Sequence, residues 1–308
     1  MFKPLLSAAA LSALSLACAT TSAQTATDTA SQRRVQSSPI AAKVQQTSAL
    51  TDASGTSERT PTPRRAMMQR VLSSNVRLFV WDEGTAKRSA SAVVVGSEAT
   101  SSGTATYLVT NAHALDVRGM KAPELRVVVD RPWEAASAEP MEFLAQPVAV
   151  GRVPEMDLAL IKVIGIQLDA AELAADEELV PGDNVVVAAA PFGRAVSLSG
   201  GLVSHVEWDR KTGAPQVVKT DAPIGYGASG GGIYSVETGR LLAIVEGYRT
   251  AKINLAVAKE NVSFDVPMPG ETFAAPAAKV RAFITQKGFG RILQPAEPAP
   301  APTRAAIR

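Results

Sequence analysis

Between residues 76 and 266 the chain is cut into short apolar segments, and none of them is long enough to be a core helix. They read "VRLFVW" (76–81), "SAVVVG" (91–96), "TYLVTNA" (106–112), "LRVVVD" (125–130), "DLALIKV" (157–163), "NVVVAAA" (184–190), "GLVSHVEW" (201–208), "PQVVKT" (215–220), "GGIYSV" (231–236), "LLAIVEG" (241–247) and "VSFDV" (262–266). β-Branched residues dominate them, and Gly, Pro, Asp and Asn punctuate the gaps, which is the pattern of many short strands joined by tight turns. Such a chain closes into an all-β barrel or sandwich, because no helical period recurs between the strands to build an alternating α/β sheet. One amphipathic helix is predicted near the end. In "APAAKVRAFITQKGF", Val280, Phe283 and Ile284 share a face and Gly288 is the stop.

The two ends have a different character. "MFKPLLSAAALSALSLACATTSAQ" places Lys3 before a short apolar run and small residues, the pattern of a secretory signal peptide. The run is too short to span a bilayer. Cleavage after Ala19 or Ala23 fits. "SLAC" also resembles a bacterial lipobox that would put a lipid anchor on Cys18, but Ser15 stands where an aliphatic residue is usual, so simple export to the periplasm or medium is preferred. Residues 20–65, rich in Ala, Thr, Ser and Gln, are expected to be a flexible linker or propeptide, and residues 291–308 a Pro/Ala-rich disordered tail. The folded domain is expected over 66–290.

The formal net charge of +2 falls to +1 when residues 1–19 are removed, since only Lys3 is lost. That balance, with no run of basic and aromatic residues, argues against nucleic acid. Cys18 is the only cysteine, so the folded part has no disulfide and depends on core packing.

The chemistry is concentrated in "TDAPIGYGASGGGIY", residues 220–234. "GASGG" satisfies the G-x-S-x-G elbow of α/β-hydrolases, but that fold requires a histidine after the serine. His113 and His205 both precede Ser229, so the elbow fails on chain order. No Gly-Lys-Ser/Thr follows the glycines, which excludes a P-loop. Two histidines and no cysteine in the folded part leave little to hold a catalytic metal. The remaining arrangement is His, Asp, Ser. "YLVTNAHAL" sets His113 just after an apolar strand, "MDLALIKV" sets Asp157 at a strand head, and the glycines around Ser229 let backbone amides turn towards a substrate carbonyl.

On "TNAHAL", "DLALIKV", "APFGRAVSLSGGLVS", "TDAPIGYGASGGGIY", "GRLLAIVEG" and "FDVPMP", spread over about 72–289, the chain resembles the trypsin-like (chymotrypsin-fold) serine proteases, and among them the protease domain of bacterial HtrA/Deg proteins. The resemblance implies two six-stranded antiparallel β-barrels with a cleft between them and a C-terminal helix. It implies that His113 is general base, that Asp157 orients it, that Ser229 is nucleophile, and that the amides of Gly227 and Ser229 form the oxyanion hole. It also implies a specificity pocket walled by Pro223 to Tyr226 and by Glu246, Gly247 and Tyr248. The partner would be a polypeptide substrate, with small or medium apolar residues preferred because no acid stands at Pro223. No cofactor or metal is implied.

The chain departs from the family's pattern in places. Glu246 replaces a small residue beside the triad acid, "SASAVVVG" replaces Gly-Ser-Gly, and "GASGGG" lacks the usual Asn or Asp before the serine and the Pro after the glycines. About 20 residues follow the terminal helix, too few for the PDZ domain of HtrA proteins. His205 is expected to be structural, Asp221 is read as a turn cap beside the serine loop, and Asp116 and Asp130 are competing acids, of which Asp116 lies too close in sequence to His113. Two function classes follow: an exported serine endopeptidase working through an acyl-enzyme, or a catalytically impaired relative that binds peptides.

Overall fold

The computed structural model describes residues 62–101, 103–130, 139–257 and 260–293. The expected signal peptide, Cys18, most of the linker and the tail beyond 293 lie outside them. The strands form two closed antiparallel barrels of six strands each, as the sequence predicts. The first is built from β1 (Asn75–Asp82), β2 (Thr85–Thr100), β3 (Gly103–Thr110), β4 (Pro123–Val129), β5 (Met141–Val150) and β6 (Ala159–Ile164), in the order β1-β2-β3-β6-β5-β4. The second uses β7 (Asn184–Ala189), β8 (Ser197–Trp208), β9 (Pro215–Thr220), β10 (Gly232–Ser235), β11 (Leu241–Val257) and β12 (Glu260–Pro276), in the order β10-β11-β12-β9-β8-β7.

Closure leaves no open edge in either barrel body, and alternation sends one face of each strand inward. Val76, Leu78, Leu108, Val127 and Ile161 fill the first barrel, while Val187, Val203, Val218, Ile233 and Val245 fill the second. A third cluster joins the barrels through Val93, Val109, Leu160, Tyr234 and Ile244. Polar bonds fix that seam: Asn75 Nδ2 donates to the buried Tyr234 hydroxyl at 2.7 Å, and Gly232 N–H donates to Asn75 Oδ1 at 3.2 Å. Both groups sit beside the start of β10, the strand that follows the glycine-rich loop.

The predicted terminal helix is α2 (Ala277–Gln286), which buries Val280, Phe283 and Ile284, and Gly288 ends it at φ +84°. Folded chain continues past the expected boundary at 290. A 3-10 turn (Gly290–Leu293) buries Ile292 against β2, where a Cβ on Gly96 would stand 2.0 Å from the Ile292 carbonyl oxygen. At the other end α1 (Pro63–Ser73) begins within the expected linker. It is capped by the Thr62 side chain and buries Met67 and Val71, too few apolar positions to have shown as a period. Strand β5 was not legible either. Its burial alternates weakly and Pro147 interrupts it at a register shift, and proline within a run argues against a strand.

Candidate active site

Strand register brings the acid and the imidazole together. β3 pairs with β6 so that Thr110 faces Ala159. The chain just after Thr110 and the chain just before Ala159 therefore lie side by side, and these carry His113, in a 3-10 turn (His113–Leu115), and Asp157. Although 44 residues apart in sequence, His113 Nδ1 and Asp157 Oδ2 are 2.6 Å apart. His113 N–H donates to the other carboxylate oxygen at 2.9 Å, and Asn111 Nδ2 donates to the Asp157 carbonyl at 2.9 Å. The carboxylate is held at both oxygens and 14% exposed, whereas the imidazole is 41% exposed. With an acceptor at Nδ1, the proton of the neutral ring belongs on Nδ1, which leaves Nε2 as the basic nitrogen.

Ser229 sits in the turn that leads into β10. Gly227 (φ +89°) and Gly230 (φ +85°) adopt left-handed backbone on either side of it. A Cβ on Gly230 would stand 2.1 Å from the Ser91 carbonyl oxygen, so only glycine fits there. The hydroxyl of Ser229 donates to the carbonyl oxygen of Glu246 at 3.3 Å. Among the described residues no hydrogen bond joins it to His113. Both nonetheless bear on one residue: the Ser229 hydroxyl is bonded to Glu246 O, and the His113 and Asp157 charges act on the Glu246 carboxyl. Among the described residues, neither Gly227 N–H nor Ser229 N–H meets a protein acceptor, while the amide between them, Ala228, is used inward to Gly225 O at 3.0 Å. Tyr226 O accepts from Phe192 N–H at 2.5 Å, which commits that peptide's oxygen away from the Gly227 amide.

Ser91 on β2 holds this loop, and sequence reasoning missed it. It is fully buried, and its amide donates to Ser229 O at 2.8 Å. Its hydroxyl donates to Gly227 O at 2.8 Å and accepts from Ala190 N–H at 2.8 Å. Thr110 Oγ1 donates to the Ser91 carbonyl at 2.8 Å, so the same residue ties the serine loop to the strand that ends at His113. The signal available in the sequence was the "SASA" departure, which kept a serine between two small residues.

Pro223 and Tyr248 line a cavity of about 330 Å³ together with Asp221, Ile224, Met268 and Thr272. Tyr226 is 67% exposed and stands at the rim, edge-on to Tyr248 (centroids 5.9 Å apart) and to Phe192 (6.4 Å). Gly247 is backed by the Phe273 ring, 3.3 Å from where a Cβ would be. Glu246 does not line this cavity. Its carboxylate turns the other way, 12% exposed, with Lys279 Nζ 3.8 Å from Oε1. Burial pushes the Glu246 carboxyl upward, with Lys279 opposing.

The other acids singled out in the sequence have partners of their own. His205 is exposed on β8, Asp116 pairs with Arg118 and Arg88, Asp130 pairs with Arg77, and Asp221 accepts from Leu202 N–H at 2.7 Å. Among the described residues no three His, Cys, Asp or Glu side chains group as metal ligands, and no helix is long and apolar enough to cross a membrane.

Comparison with known proteins follows from this geometry. No curated protein matches the sequence significantly. Among solved structures, the HtrA-type protease AlgW with a tripeptide aligns at 22% identity and TM-score 0.51, over 75% of this chain and 64% of that one. A serine endoprotease from Yersinia pestis aligns at 18% identity and TM-score 0.51, over 74% of this chain and 67% of that one. The chain thus spans about two thirds of the length of these structures, and at such identities the likeness is one of fold. The profile of the trypsin-like peptidase domain matches residues 90–244, half of the chain and the stretch that carries His113, Asp157 and Ser229. The chain belongs to the trypsin-like peptidase family, in the double-barrel fold of HtrA-type proteases.

Proposed function

We propose that this protein is an exported serine endopeptidase that cleaves extended polypeptides through an acyl-enzyme. The observation that carries the reading is the pairing of a doubly held Asp157–His113 dyad with a serine loop that leaves the Gly227 and Ser229 amides unused. A serine hydroxyl is a weak nucleophile at neutral pH and needs a base. Rotation of Ser229 Oγ from the Glu246 carbonyl to His113 Nε2 supplies one. Oγ then attacks the scissile carbonyl carbon as its proton passes to Nε2. The C–N bond breaks as the imidazolium returns that proton to the leaving amine, and water repeats both steps on the acyl-enzyme. Asp157 keeps the proton on Nδ1 and stabilises the imidazolium. The Gly227 and Ser229 amides would receive the oxyanion, where one donor is worth roughly 3 kcal/mol of transition-state stabilisation.

The 330 Å³ cavity beside Pro223 and Tyr248 includes Asp221 in its lining, with Oδ1 committed to Leu202 N–H, and its apolar walls Ile224 and Met268 suit a small or medium apolar side chain at the cleavage position. Export rests on the leader-like first residues, with release after Ala19 or Ala23 or lipid attachment at Cys18 read out by mass spectrometry of the exported N-terminus.

One observation favours a second reading, a peptide-binding module without catalysis: the Ser229 hydroxyl is given to Glu246 O rather than to the imidazole. A fluorophosphonate probe separates the two. Labelling of wild type, lost in Ser229→Ala and His113→Ala, supports the peptidase. A folded wild type that stays unlabelled while binding peptides supports the module.

A further inference from the structure

We infer that Glu246 and Lys279 form a charge-balanced positioning pair behind the His113–Asp157 dyad, in which Lys279 of the terminal helix offsets a second carboxylate beside the imidazole. The inference rests on the assignment of His113 and Asp157 as the acid–base pair of the proposed peptidase.

Glu246 occupies a bulge. Val245 pairs with Ala274 and Gly247 with Phe273, so Glu246 has no partner on β12. A bulge re-aims the side chain it carries. Here the backbone of Glu246 faces the serine loop, accepting the Ser229 hydroxyl, while its side chain is 12% exposed. Three charges act on that carboxyl from three different elements: Lys279 on α2, Asp157 before β6 and His113 after β3. Burial pushes the Glu246 carboxyl up, Lys279 lowers it, Asp157 raises it and His113 lowers it, so the ion pair with Lys279 works against both burial and the second carboxylate.

Lys279 does not belong to the buried face of α2, which is made of Ala277, Val280, Phe283 and Ile284, yet its side chain is only 18% exposed. Its Nζ stands 3.8 Å from Glu246 Oε1. An isolated carboxylate at this depth would carry a large desolvation cost and would also stabilise the protonated form of a nearby imidazole, leaving less of the neutral ring free to accept a proton. The ammonium cancels both effects. Glu246 and Lys279 touch no substrate in this scheme. They act through His113.

The test is an NMR titration of the ring protons of His113. The chain has only two histidines, and exposed His205 serves as an internal reference. Glu246→Gln keeps the backbone carbonyl and removes the anion, leaving Lys279 unbalanced, and the His113 midpoint should fall by roughly half a unit to one unit. Lys279→Met leaves the anion unbalanced and should raise the midpoint by a similar amount. The double variant should return close to wild type, and Lys279→Arg should leave the midpoint where it was. The acid limb of the fluorophosphonate labelling rate should move in the same directions. Single variants that leave the midpoint unmoved, or that move it in one common direction, overturn the pair. Should Lys279→Met fail to fold, both histidines would titrate alike, and Glu246→Gln with Lys279→Arg would still decide. A wild type never labelled at any pH would sink the peptidase reading, while the ring titration would still judge the pair.

Discussion

The two barrels contribute unlike halves to the site. The first supplies His113 and Asp157 as side chains locked by hydrogen bonds of 2.6 and 2.9 Å, both resting on the pairing of Thr110 with Ala159. The second supplies Ser229 on a loop held almost wholly through its backbone, with two left-handed glycines and with Ser91 of the first barrel as its strut. The candidate acid–base half is joined by those hydrogen bonds alone. The nucleophile half keeps its hydroxyl on Glu246 O and its two amides unused. A dyad can be preset by ordinary strand register, whereas an oxyanion site requires amides deliberately left without partners, which only a glycine-rich turn tolerates.

That contrast can be broken from either side. Asp157→Asn strikes the first half and should reduce kcat roughly 10⁴-fold with the fold retained, because the asparagine favours the wrong imidazole tautomer. Steady-state kinetics on a peptide substrate, beside a circular-dichroism melt, check this; an unchanged kcat would remove Asp157 from the mechanism. Gly230→Ala strikes the second half. Its Cβ would stand 2.1 Å from Ser91 O at φ +85°, so a loss of about 3 kcal/mol or more in unfolding free energy is expected by denaturant titration.

Ser91→Ala sharpens the comparison, since it leaves both barrels intact and cuts the strut between them. The half-buried Gly227 carbonyl and the buried Ala190 amide would lose their partner, at about 1–3 kcal/mol of stability. Fluorophosphonate labelling should slow about tenfold or more, while the His113 ring titration stays put. Movement of that titration would mean the two halves are not separable.

The smallest effect lies far from the cleft. Glu98 on β2 accepts from Arg291 at 2.7 Å and from Tyr107, and the Arg291 and Tyr107 hydrogen bonds hold its carboxyl below the usual range. Because the folded state favours the ionised form, this contribution is present above the ordinary value of 4.5 and is lost as pH falls below it. Glu98→Gln should therefore cost at most about 1 kcal/mol at pH 7 and flatten the acid side of the melting-temperature profile. Labelling should not change, since this contact anchors the terminal turn and not the site.

Much of the fold was legible because it is written in local chemistry. Short β-branched apolar runs between turn residues marked the strands other than β5, and Val280, Phe283 and Ile284 with Gly288 marked α2. His113, Asp157 and Ser229 could be nominated because chain order eliminated the competing arrangements, and Gly227 through the resemblance to trypsin-like proteases; its positive φ is a finding of the structure. The resemblance placed Glu246 at the specificity pocket, and what position along a strand does not reveal is the bulge that carries it and the approach of its side chain to Lys279.

The sequence by itself determined the class of fold, the order of the three candidate reactive residues and the need for glycine around Ser229, because these follow from periodicity, chain order and backbone sterics within a few residues. Only the tertiary structure decided that Ser91 supports Gly227 across 136 residues, that Lys279 reaches Glu246, and that the Ser229 hydroxyl rests on a carbonyl. Those are partnerships between surfaces brought together by barrel closure and helix docking, and they leave no periodic trace in either segment.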